Sequence, residues 1–164
     1  MFFPLRTPLP PLLARLHAAL ERWAEAHEEG IVIVEHDRRP PRPPPGGAAP
    51  GAAPPDGPVP LPVIVVIPPR PRGEGVAGRV APDFLAELEQ AGVSEDRLRR
   101  CARAGVPELW RVTADPAGGP PALVVFTEPA GEGYARARAV APDEEVAAGA
   151  LPSFTLRPRD LLAD

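Results

Sequence analysis

Lysine and asparagine are missing from all 164 residues, so that every one of the 18 basic side chains is an arginine. The codon bias of a GC-rich genome explains this for surface positions. It does not make the exchange neutral at a catalytic position, because a guanidinium stays protonated and cannot accept a proton. Cysteine is almost as scarce. Cys101 stands alone, which excludes an internal disulfide and points to a reducing cytoplasm. No apolar run approaches the roughly 20 residues of a membrane helix. The apolar start Met1–Leu13 is broken by Pro4, Pro8, Pro10 and Pro11 and does not read as a signal peptide. The expectation is a cytoplasmic protein with no membrane partner. The three histidines, His17, His27 and His36, lack the spacing of metal ligands. A net charge of −4 excludes a general basic nucleic-acid coat and confines any nucleic-acid contact to a local patch. Glycine-rich phosphate loops and nucleophilic triads are not visible either.

What is present suits one domain spanning residues 1–164. Leu12, Leu13, Leu16, Leu20 and Trp23 recur at three- and four-residue steps and predict a helix over 11–29, ended by Gly30. The β-branched runs at 31–34 and 63–67 predict strands, the second one central and buried on both faces. Between them, residues 40–58 hold nine prolines, four glycines and four alanines in 19 positions, which predicts an inserted loop with little to bury. Residues 94–104 form a second predicted helix, with Ser94 as N-cap candidate and Gly105 as its stop. Strands follow at 109–113, 122–127 and 134–140, then a C-terminal segment with a short helix or turn. This order predicts an α/β (α+β) sheet domain. Residues 81–90 are ambiguous: Pro82, Asp83 and the run of Leu, Ala and Glu favour a helix by local propensity.

The stretch from Ala102 to Val112, ARAGVPELWRV, resembles the Uma-two family of restriction-endonuclease-like proteins, within the PD-(D/E)xK nuclease superfamily. Members carry a segment like PDLVVEVLSPS, a charged helix ending Y-x-x-x-G-V, and then E-Y-W-x-V-D. Here Pro82–Leu88 takes the first place, Cys101–Val106 ends the helix and Glu108–Val112 follows. Gly133-Tyr134 and Leu151-Pro152-Ser153-Phe154 match the family's later motifs in order. The resemblance implies a restriction-endonuclease-like mixed β-sheet core flanked by helices, and it makes 81–88 a strand.

The family chemistry is Mg²⁺-dependent hydrolysis of DNA phosphodiesters. The resemblance implies Glu87 as the surviving catalytic and metal-binding carboxylate, with Asp83 as a second candidate ligand two strand repeats away. The family's lysine position falls on Arg97, and the aspartate expected before Val63 is replaced by Val59-Pro60-Leu61-Pro62. Asp56 lies too far back to substitute for it. Arg99, Arg100 and Arg103 form a basic cluster that could meet DNA phosphates. Its bland counterpart is a solvated helix face. Cys101 reads as packed rather than nucleophilic, and Trp110 as a core or dimer-facing residue. The expectation is therefore an endonuclease-like homodimer, with Mg²⁺ and DNA as partners if active, whose catalysis is impaired or lost. The alternative is a non-catalytic nucleic-acid- or protein-binding module on the same fold.

Overall fold

The computed structural model describes residues 9–27, 30–35, 62–67 and 82–162. The proline-rich stretch at 40–58, Asp56 and His36 lie outside them. The chain runs α1 (Pro11–His27), β1 (Ile31–Glu35), β2 (Val63–Ile67), β3 (Phe84–Leu88), α2 (Ser94–Arg103), β4 (Glu108–Thr113), β5 (Ala122–Ala130) and β6 (Gly133–Val140). Two short strands, β7 (Val146–Ala147) and β8 (Thr155–Leu156), and a 3-10 turn (Pro158–Leu161) complete it.

Strands β1 to β6 form one sheet in sequential order. All neighbours are antiparallel except β3 and β4. A parallel pair needs a crossover, and α2 supplies it. The result is a mixed sheet flanked by two helices, an α+β fold.

Strand alternation sorts the side chains onto two faces. Ile64, Val66, Phe84, Ala86, Trp110, Val112, Leu123 and Val125 turn to one face. There they meet the apolar stripe of α1 (Leu13, Leu16, Leu20 and Trp23) and the C-terminal residues Leu151, Phe154 and Leu161. The other face carries a smaller cluster of Val63, Val65, Leu85, Cys101, Val106 and Leu109 beneath α2. Cys101 is buried there, as the sequence suggested. Trp110 resolves to the core: it is fully buried and packs edge-on against Phe84.

Residues 84–88 are a strand, against their helical propensity. Their neighbours decide this. Phe84, Leu85, Ala86 and Glu87 are all buried between β2 and β4, and such burial on both faces overrides an intrinsic preference of well under 1 kcal/mol per residue.

Helix α1 ends at His27, and Gly30 leads into β1. Its φ of +74° is open to glycine, and a Cβ there would stand 3.0 Å from the Ile67 carbonyl oxygen. Helix α2 ends on Gly105 in the left-handed region, with the Val106 amide donating to the Cys101 carbonyl and the Gly105 amide to Ala102. This six-to-one closure buries Val106 against Cys101.

The start of α2 departs from the sequence reading. Val93 holds the cap position, and Ser94 Oγ instead accepts from the Gln90 amide at 2.8 Å. The hydroxyl thus ties down the preceding turn, where its helix amide is already satisfied by the Gln90 carbonyl. No helix among the described residues is long and apolar enough to cross a membrane.

Candidate functional site

The sheet register brings the named residues to one row. On β3, Glu87 pairs across with Val63 of β2 and with Arg111 of β4, and Arg111 in turn pairs with Val124 of β5. Glu87 and Arg111 therefore point to the same face, toward α2. That helix brings Arg97 down from its buried side.

Glu87 is completely buried, at 0% exposure. Arg97 Nη1 donates to its Oε2 at 2.8 Å, and Arg111 Nε donates to its Oε1 at 2.8 Å. Arg111 then uses Nη1 on Glu95 Oε1 at 2.8 Å and Nη2 on the Ser94 carbonyl at 2.9 Å. Its guanidinium also lies 5.0 Å from the Phe126 ring centroid, a cation–π distance. Glu87, Glu95, Arg97 and Arg111 together form an electroneutral quartet. Burial alone would lower the Arg111 pKa, but its bonds and attraction to Glu87 and Glu95 outweigh that and raise it. The guanidinium is firmly charged. Tyr134 closes one side of this layer, donating from its hydroxyl to the Val106 carbonyl at 2.8 Å. Burial pushes the Tyr134 pKa up, and Cys101 and Glu87 add to it.

Mg²⁺ needs several hard oxygen ligands in near-octahedral array. The donor set here does not fit it. Glu87 is the one carboxylate in the buried row, and each of its oxygens already carries an arginine. The position opposite is Val63, which offers no ligand. A divalent cation would also enter beside two fixed guanidinium charges. Asp83 precedes β3 and is half-buried, four residues from Glu87. Along a strand that is about 13 Å, too far to share one ion with it. Glu35 shares the row through Val63 but stands two strands away, about 10 Å. Among the described residues, no group of three or more His, Cys, Asp or Glu is placed to hold a metal ion.

The arginine cluster on α2 is divided. Arg97 faces inward, whereas Arg99, Arg100 and Arg103 are exposed. Arg100 pairs with Asp96 at 3.3 Å and Arg103 with Glu132, which takes positive charge out of the proposed DNA-facing set.

The fold has a solved counterpart. It is the crystal structure of a "putative nuclease belonging to DUF820" from Anabaena variabilis ATCC 29413. The two are 15% identical and superpose with a TM-score of 0.59, over 96% of this chain and 84% of that one. At that identity the shared property is a nuclease-like fold. No protein-family model and no curated protein matches the sequence.

Several residues that hold this region together escaped the sequence reading. Arg111 is the main one. A charged residue in a strand buried on both faces must have a buried partner, and that requirement was the available signal. Glu108 is another: its Oε1 accepts from the Trp110 indole at 2.6 Å and its Oε2 from the Ala150 amide at 2.8 Å. The Glu-x-Trp spacing therefore clamps the C-terminal segment to β4. Ser153 holds a φ of +63°, a left-handed backbone that glycine adopts more readily than serine.

Proposed function

We propose that this chain is a degenerate restriction-endonuclease-like protein of the Uma-two type that has lost metal-dependent phosphodiester hydrolysis. What remains is a binding module on a nuclease-like fold. The observation that carries this reading is the occupancy of both Glu87 oxygens by Arg97 and Arg111. In a working site of this class a carboxylate offers lone pairs to the metal, and a neighbouring lysine orients water and steadies developing charge. Here the lysine's replacement is turned onto the carboxylate itself. Arg97 bonds the would-be ligand, and Arg111 takes the other oxygen. Neither arginine can serve as a base near neutral pH.

Supercoiled plasmid incubated with the purified protein and Mg²⁺ or Mn²⁺ provides the test. It should remain as intact as in the protein-free control. Nicking or linearisation that requires the metal and disappears in Glu87→Ala would overturn the proposal.

A further inference from the structure

Most exposed arginines among the described residues sit on a carboxylate. Arg136 pairs with Glu128, Arg138 with Glu144, Arg157 with Glu145 and Arg159 with Asp143. This is the ordinary outcome in a chain with more acids than bases. Arg15, Arg22 and Arg99 have no carboxylate partner among the described residues. Two of those three, Arg15 and Arg22, open onto one groove between α1 and the C-terminal turn.

The groove has a volume of about 840 Å³ and lies on the face of the sheet opposite Glu87. Arg15 and Arg22 are seven residues apart, two helical turns, so they share one side of α1. Ala18 and Ala19 between them keep the floor low. Arg159 faces them from the 3-10 turn, and Ser153 and Thr155 add hydroxyls, while Asp160 is the one acid among the described lining residues. Arg15 spends a single N–H on the Leu161 carbonyl, at a long 3.4 Å. Arg159 spends Nε on Asp143 at 2.5 Å. A guanidinium has five N–H donors, so most of the donors here remain available.

We propose that this groove binds a phosphate-bearing ligand. Planar arginine forks match phosphate oxygens in bidentate fashion, and hydroxyls complete such contacts. The site is separate from Glu87 and stands whether or not the protein cleaves DNA.

The test uses the full chain with two probes, inorganic pyrophosphate by calorimetry and a labelled single-stranded oligonucleotide by fluorescence anisotropy. If the ligand is a nucleic-acid backbone, the oligonucleotide binds. Log K should then fall against log salt with a slope of about −2, at about 0.7 for each of three contacts. If the ligand is small, pyrophosphate binds and the oligonucleotide does not. In either case Arg22→Glu, at an exposed helix position, should weaken binding by about tenfold or more, and Arg136→Glu on β6, outside the groove, should leave it unchanged. Absence of binding by both probes, or binding that survives Arg22→Glu undiminished, would overturn the proposal.

Discussion

A buried carboxylate with two guanidinium partners is expensive to disturb at one point only. Removing the charge of Glu87 takes the shared buried carboxylate away from Arg97 and Arg111 while Glu95 stays on Arg111, and losses of this kind cost about 3–5 kcal/mol. Glu87→Gln should therefore lower the urea midpoint sharply. Glu95, whose side chain is 64% exposed, should matter far less. Glu95→Gln is expected to cost about 1 kcal/mol or less in the same measurement. Tyr134 gives a second residue-scale prediction. It is the chain's one tyrosine, so ultraviolet titration reports on it alone. Its folded pKa is raised above the ordinary 10.0. The unfolded chain therefore releases the proton first as pH climbs. The stability Tyr134 contributes is complete below about pH 10 and declines above it, through the folded pKa. Tyr134→Phe should flatten that alkaline decline. It should also cost about 1 kcal/mol at neutral pH through loss of the bond to Val106.

Among the elements, Gly30 fixes the entry to β1 beside Ile67. Gly30→Ala should destabilise by more than about 1 kcal/mol, because the left-handed backbone and the approach to Ile67 both resist a Cβ. Thermal melting of the variant checks this. Gly30 was legible in the sequence, as were α2, the buried strand 63–67 and the three strands after α2, because each announces itself by local pattern and a stop residue. The strand at 84–88 was not legible from pattern. Propensity there favours helix, and only burial between β2 and β4 reverses it, so the family resemblance had to supply the answer. The site was legible in the same uneven way. Glu87 and Arg97 could be named from motif spacing. Arg111 and Glu95 could not, because their meeting depends on the register of β3 with β4 and on where the crossover helix lands. The cap assigned to Ser94 failed for a related reason, since its hydroxyl serves the turn at Gln90.

For the molecule as a whole, a nuclease-like sheet carries α2 across a buried polar row. The buried charges balance internally, and the residue opposite Glu87 on β2 is the apolar Val63. On the proposed reading, the Glu87 carboxylate is committed to arginines and closed to metal. Paramagnetic broadening by Mn²⁺ in amide NMR spectra tests it most directly, since a bound ion erases the signals around it. The amides of β3, β4 and α2 should keep their intensities as Mn²⁺ is added. Selective loss of the Glu87, Arg97 and Arg111 signals at low Mn²⁺ would contradict it.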